Sequence, residues 1–243
     1  MNKSQRYDVA IIGGGPAGAA SALYLLEAGL KPIIIEKEPF PRYHIGESLT
    51  GECGARLRKL GLEAKLTAAN YPIKHGVSVY GAQGKNAFWV PVQKRDEAGE
   101  LQDSSTWQVR RDAFDKMMLD TALERGAAHC FGEALAPLLH GDRVNGLQYR
   151  AADGRTTDLA ADVVIDASGQ STFLASKSSL TSGKAYGRYS RQIAIFTKIR
   201  GALRDPAPAA GNTLIFYQQK NHWAWFIPLD DEVVSVGVVV PDD

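Results

Sequence analysis

The chain has 243 residues, 44% of them hydrophobic and 23% charged, which is ordinary for a soluble protein and enough for a substantial core in one large domain or two small ones. Lys plus Arg number 28 and Asp plus Glu 27, so the net charge is +1. That balance gives no electrostatic ground for expecting nucleic acid or a membrane surface as partner.

Tyr7–Ile12 (YDVAII) ends in three glycines and reads as a buried parallel strand. Pro16–Ala28 carries Ala and Leu at helical spacing, with Gly29 as its stop. Pro32–Glu36 (PIIIE) is a second buried strand, so a β–α–β unit closes in about 30 residues. The Pro- and Gly-rich stretch 38–51 is expected to be a loop, followed by a short helix over Glu52–Leu60. Gly76–Val92 alternates as short strands around a polar turn at Gly84–Asn86, and the polar stretch Gln93–Ser105 reads as a surface loop. Arg111–Gly126 predicts an amphipathic helix, with Phe114, Met117, Met118, Leu119, Ala122 and Leu123 toward one side. Arg143–Arg150 and Thr157–Ala161 predict a hairpin around Asp153-Gly154, and Asp162–Asp166 (DVVID) a further buried strand. After about residue 185 the pattern is β: Gln192–Ile199, Thr213–Gln218, Trp223–Pro228 and Val233–Val240. The strand character changes twice. Residues 1–75 with 105–184 are therefore expected to form a discontinuous nucleotide-binding domain, and 76–104 with 185–243 a β-rich one.

Cys53 and Cys130 stand far apart in no C-x-x-C pattern, which speaks against a disulfide framework or a zinc site. His44, His75, His129, His140 and His222 show no H-E-x-x-H or other metal spacing, so no metal is expected. Ser48 and Ser168 have no base partner in sequence and no G-x-S-x-G elbow is present, so hydrolase chemistry is poorly supported. The N-terminal apolar run is broken by glycines and reads as a strand, not a signal peptide. No apolar run approaches the roughly 18–20 residues of a membrane span, and the expectation is a cytoplasmic protein.

The informative motif is G13-G-G15-P-A-G18. Gly13 permits the tight turn, Gly15 lets backbone approach a pyrophosphate, and Gly18 lets helix and strand pack closely. The helix start, with Pro16 and Ala17, offers free N–H groups to phosphates. Glu36 lies 23 residues after Gly13 at the end of the second strand, where it can accept hydrogen bonds from a ribose diol; Lys37 follows it and is counted with the cofactor-binding residues. The motif does not separate FAD from NAD.

Downstream segments carry a resemblance that does. V163-V-I-D-A-S-G-Q-S-T-F-L174 resembles the second cofactor-contacting segment of glutathione-reductase-type flavoproteins with a p-hydroxybenzoate-hydroxylase-like fold. W107-Q-V-R-R-D-A-F-D resembles their R-x-x-F-D helix, whose Arg reaches toward the flavin. The resemblance implies an α/β fold in which a Rossmann-like FAD-binding domain is interrupted by a β-rich substrate domain. It implies FAD as cofactor, with Arg111, Asp166 and Gly169 beside it. F40-P-R-Y-H-I-G-E-S-L49 looks like the corresponding loop of flavin-dependent halogenases and related monooxygenases, which places Arg42 and the Gly46-Glu47-Ser48 turn near the flavin.

The stretch Trp223-Ala224-Trp225-Phe226-Ile227-Pro228 resembles the G-W-x-W-x-I-P signature of flavin-dependent halogenases, with His222 where the first Gly is expected. Read from the residues alone, it is an alternating strand burying two tryptophans on one face. Lys74, in Y71-P-I-K-H-G-V77, stands where the resemblance places the lysine that receives hypohalous acid. Read without it, Lys74 is a loop lysine, usually solvent-exposed.

The resemblance thus implies halogenation of an electron-rich aromatic or pyrrole, free or carrier-bound, through a flavin C4a-hydroperoxide, with halide as co-substrate. No separate NAD(P)H fingerprint is seen, so a flavin reductase is the expected source of reduced FAD. A monooxygenase or reductase of the same fold without halide chemistry, and a non-catalytic flavin-binding fragment, are the alternatives. The family is usually longer and carries a later G-D flavin segment that is not found here, so an N-terminal portion is expected.

Overall fold

The computed structural model describes residues 6–177, 187 and 191–242. In chain order it holds β1 (Tyr7–Ile12), α1 (Pro16–Glu27), β2 (Pro32–Glu36), α2 (Gly51–Lys59), α3 (Glu63–Ala68), β3 (Ile73–Lys74), β4 (Gly76–Tyr80), β5 (Ala87–Pro91), β6 (Gln93–Arg95), β7 (Leu101–Asp103) and β8 (Thr106–Trp107). Then follow α4 (Arg111–Glu124), β9 (Ala128–His140), β10 (Arg143–Ala151), β11 (Thr156–Asp166), α5 (Phe173–Lys177), β12 (Gln192–Arg200), β13 (Thr213–Gln219), β14 (His222–Pro228) and β15 (Val233–Pro241). Among the described residues no helix is long and apolar enough to cross a membrane, and no group of three metal-ligating side chains converges.

The chain divides into two compact units, Met1–His44 with Asp112–Ala185, and Ile45–Arg111 with Tyr186–Asp243. These divisions fall after His44 and Arg111, whereas the strand-character argument places them near 75 and 105. Residues 45–75 group with the β-rich part because backbone bonds stitch them to β8: Leu49 N–H donates to Trp107 O and Val109 N–H to Glu47 O. The expected change at 184/185 lies outside the described residues.

In the first unit β1 pairs in parallel with both β2 and β11, and β2 with the start of β9. β10 joins β9 to β11 in antiparallel fashion, closing the circuit β1-β11-β10-β9-β2. Thr157–Ala161 and Asp162–Asp166 are one strand, because β11 changes partner from β10 to β1 at Ala161 without breaking. The long strand β9 was not foreseen, since Gly132 and Pro137 interrupt its pattern. Ala10, Ile12, Ile33, Ile35, Leu147 and Leu159 form the core inside the circuit. They lie at alternate positions of their strands, as a single buried face requires.

The second unit is built on a six-stranded sheet, β12-β15-β14-β13-β4-β5. All its neighbours are antiparallel except β13 and β4. Gln93–Ser105 contains a hairpin, β6 with β7, whose polar side chains hid any alternation. Its turn is tied by Asp96, whose carboxylate accepts from the Ala98 and Glu100 N–H groups. Helix α3 was likewise not foreseen; it anchors through Leu66, fully buried.

Candidate functional site

At the C-terminal ends of β1, β2 and β11 in the first unit, the chain makes a turn that only glycine allows. Gly13 has φ +101°, and its N–H donates to Ile35 O at 2.8 Å. A Cβ on Gly13 would lie 2.5 Å from Ala167 O, so the loop after β1 and the loop after β11 meet there backbone to backbone. A Cβ on Gly18 would lie 1.9 Å from Gly13 O, which fixes glycine as the contact between α1 and the turn. Pro16 occupies the first position of α1, no side chain caps the helix, and Ala17 is exposed. The helix start therefore presents N–H groups to an incoming anion.

Glu36 is 5% exposed and its carboxylate accepts two backbone bonds, from Gly14 N–H at 2.7 Å and Glu38 N–H at 2.8 Å. A carboxylate offers about four lone-pair sites, so both oxygens keep capacity for a diol. On neighbouring β9, burial pushes the His129 pKa down, against the pull of the Glu36 charge. Lys37 is exposed beside Glu36.

Arg42 lies over the glycine loop, 3.4 Å from where a Gly15 Cβ would stand, and stacks on Phe40 at 4.9 Å. Its Nε is buried without a hydrogen-bond partner, with Glu38 3.7 Å away. A buried guanidinium donor left open above the glycine turn fits a diphosphate. Arg42→Gln is expected to weaken FAD binding about tenfold, read by flavin fluorescence titration. Asp166 is committed locally: it accepts from Ser168 N–H at 3.1 Å and Leu174 N–H at 2.8 Å, which shapes the loop through Gly169 (φ +62°).

In the second unit, residues 47–49 run beside 107–109, joined by the bridge between Ser48 and Gln108. β8 pairs on its other side with β3, matching Lys74 with Thr106. Lys74 is only 6% exposed, contrary to the usual habit of loop lysines. Its Nζ donates to Ser48 Oγ at 2.9 Å and to Leu49 O at 3.0 Å, both neutral acceptors. Burial lowers its pKa to about 8. Ser48 Oγ lies 2.8 Å from Thr213 Oγ1, which accepts from Gln108 Nε2 at 2.9 Å. The preceding Glu47 is 1% exposed, with Lys198 at 3.7 Å. Arg111, at the head of α4, donates to the carbonyls of Ile45 and Gly46. Those carbonyls answer a cation placed at the unfavourable end of a helix dipole.

The sheet register joins this cluster to the tryptophan strand. Ile215 faces Trp225, which faces Gly237. Alternation then sets Thr213, Ile215, Trp223, Trp225 and Ser235 on one face. Trp225 is buried and donates from Nε1 to Ser235 Oγ at 3.2 Å, with Trp223 5.8 Å away centroid to centroid. His222, at the Gly position of the signature, is half-buried and its Nδ1 lies 3.1 Å from Lys220 O.

Within one unit or the other, the structure brings together Gly13, Gly15, Gly18, Glu36 and Arg42, and separately Ser48 and Lys74. Gln108, Asn212 and Thr213 were not singled out from sequence. Their only signal is polarity in apolar surroundings: Gln108 sits between Trp107 and Val109, both buried.

The FAD binding domain family matches residues 6–240. The 1H-pyrrole-2-carbonyl-[peptidyl-carrier protein] brominase of Pseudoalteromonas luteoviolacea is 40% identical over 243 residues, covering 100% of this chain and 57% of that protein. The corresponding chlorinase of Pseudomonas fluorescens is 31% identical over 252 residues, covering 96% and 55%. Among solved structures, the flavin-dependent brominase Bmp2 superimposes with a TM-score of 0.89 at 40% identity, over 98% of this chain and 57% of that one. The myxobacterial chondrochloren halogenase CndH gives 0.85 at 30%, over 98% and 53%. The chain thus spans a little over half the length of these relatives.

Proposed function

Because the chain belongs to the FAD binding domain family, we propose that it provides the flavin-binding and halogen-relaying parts of a FAD-dependent halogenase acting on an electron-rich aromatic ring. A pyrrole carried on a carrier protein is the favoured substrate, since the brominase and chlorinase relatives are named for one. The observation that carries the reading is Lys74, a buried amine with neutral acceptors in the same unit as the tryptophan strand. The glycine turn, Glu36 and the open Arg42 Nε fit the ADP half of FAD.

Bound in its reduced form, FAD would supply the two electrons that bring oxygen to the peroxide level, at which it oxidises halide to hypohalous acid; a flavin reductase is the proposed source of that form. The rest belongs to the chain. With a pKa of about 8, Lys74 has roughly a tenth of its amine neutral at pH 7. The neutral Nζ lone pair takes the halogen: the N–X bond forms, the X–O bond breaks, and the departing hydroxide leaves as water with an Nζ proton. The ring carbon then takes the halogen from nitrogen, the N–X electron pair returns to Nζ and takes up a proton from water, and the ring proton passes to water, which restores the amine. Trp223 and Trp225 supply an apolar surface that limits water on that face.

His222, where the halogenase signature has Gly, favours a second reading, a monooxygenase or reductase without halide chemistry. The two separate on incubation with reduced FAD, oxygen and bromide or chloride, using carrier-bound pyrrole-2-carboxylate, free pyrroles, phenols and indoles. Mass spectrometry should show halide-dependent halogenated product. Hydroxylated product independent of halide would replace the first reading with the second.

A further inference from the structure

Three consecutive residues, Gly211, Asn212 and Thr213, pack against the segment bearing Lys74 and against its acceptor Ser48. A Cβ on Gly211 would lie 2.1 Å from Ile73 O, so the backbones touch there. Asn212 is 4% exposed, and its Oδ1 accepts the N–H groups of both His75 (2.8 Å) and Gly76 (3.0 Å), the two residues after Lys74. Thr213, 3% exposed, reaches Ser48 Oγ, the acceptor of the lysine. Gln108, fully buried, closes the cluster by donating from Nε2 to Gly211 O and Thr213 Oγ1, both at 2.9 Å.

The proton directions follow from chemistry. A carbonyl only accepts, so Gly211 O fixes which end of the Gln108 amide faces it. Thr213 Oγ1 must then accept from Gln108, which leaves it one proton and one lone pair for Ser48. The bond between Ser48 and Thr213 can therefore run either way. When Lys74 is an ammonium it donates to Ser48 Oγ, and Ser48 donates on to Thr213. When Lys74 is a neutral amine, Thr213 donates to Ser48, and the Ser48 hydroxyl is free to donate to the amine lone pair.

We propose that Thr213 and Gln108 are positioning residues for Lys74, acting through Ser48 to keep its amine hydrogen-bonded in one place in both protonation states. The inference deepens the assignment of Lys74 as halogen relay and rests on it. The ionisable groups on the packed elements are Glu47 and Lys198, Tyr71 and His75, and on α2 Glu52, Cys53, Arg56, Lys59 and Arg58, the last of which lies over Trp107. None of them hydrogen-bonds Lys74 Nζ among the described residues. The hydroxyl pair is thus the adjustable part of its surroundings.

The test is the pH dependence of Lys74 acylation by a small anhydride, followed by peptide mass spectrometry, which needs no turnover. In Thr213→Val the ammonium form keeps Ser48 as acceptor but strands the Ser48 proton, whereas the neutral form loses less. The midpoint should fall by about one pH unit, and Thr213→Ser should restore it. Thr213→Ala, which removes the same hydroxyl without adding a methyl, should shift the midpoint in the same direction if Thr213→Val does not fold, whereas Gln108→Leu, which frees a Thr213 lone pair for the Ser48 proton, should shift it upward. Unchanged midpoints in the folded variants would overturn the positioning role. Midpoints that shift while no variant, nor the parent protein, halogenates any substrate would sink the halogenase reading and leave the positioning role standing.

Discussion

Lys74→Met is expected to lower halogenation by on the order of 10³-fold or more while flavin reoxidation by oxygen continues, with hypohalous acid escaping to solvent. The same substitution should stabilise the fold. Lys74 has its pKa lowered by burial from 10.5 to about 8, so the unfolded chain binds the proton more tightly than the folded one. Stability therefore rises with pH between about 8 and 10.5, and below pH 8 the whole penalty is present, about 3 kcal/mol at 1.36 per unit. Methionine removes the charge and keeps the volume. It also leaves Ser48 Oγ and Leu49 O without their donor, which offsets part of the gain. A net increase of about 1 kcal/mol at pH 7, shrinking toward pH 10, is the expected denaturation result. Lys74→Arg should be equally inactive, because a guanidinium stays protonated and has no lone pair to give. Halogenation by Lys74→Met at the parent rate would remove the residue from the mechanism. A protein that is both less stable and inactive would instead make Lys74 a packing residue.

The two halves of the site were unequally legible. The glycine turn and Glu36 are local: strand, turn and helix follow one another, and each glycine's task shows in its spacing. The structure adds contacts that come from elsewhere in the chain, Gly13 against Ala167 and Arg42 over Gly15. The lysine environment is not local at all. Ser48, Lys74, Gln108 and Thr213 are separated by up to 165 residues, and the pairing of β3 with β8, of β13 with β4 and the bridge between Ser48 and Gln108 bring them together. A motif could place Lys74 but could not say that it is buried, nor that its acceptors are neutral. The same limit explains β9 and β11. Each changes partner midway, so one strand carries two burial patterns and a fixed period fails.

Gly18→Ala is expected to weaken FAD binding strongly and to destabilise the protein, for a reason that the turn itself supplies. The added methyl would lie 1.9 Å from Gly13 O, 3.0 Å from Gly13 C and 3.3 Å from Ile11 Cγ2. Two of those atoms are backbone and cannot rotate aside. Gly13 cannot retreat either, since its own Cα already faces Ala167 O and its N–H is held by Ile35 O. Strand and helix must separate, which opens the N–H groups of the turn and moves Gly14 from Glu36. Overpacking of this kind costs about 3 kcal/mol, and the same loss of geometry should weaken FAD binding roughly 100-fold. Gly29→Ala is the control: φ is +75° there, but nothing lies within 4 Å of the added Cβ. That change should cost only about 1 kcal/mol of backbone strain and leave FAD affinity intact. Thermal denaturation and flavin titration of the two variants give the comparison. Equal FAD affinity in both would mean that the close approach of α1 to the turn does not build the phosphate site.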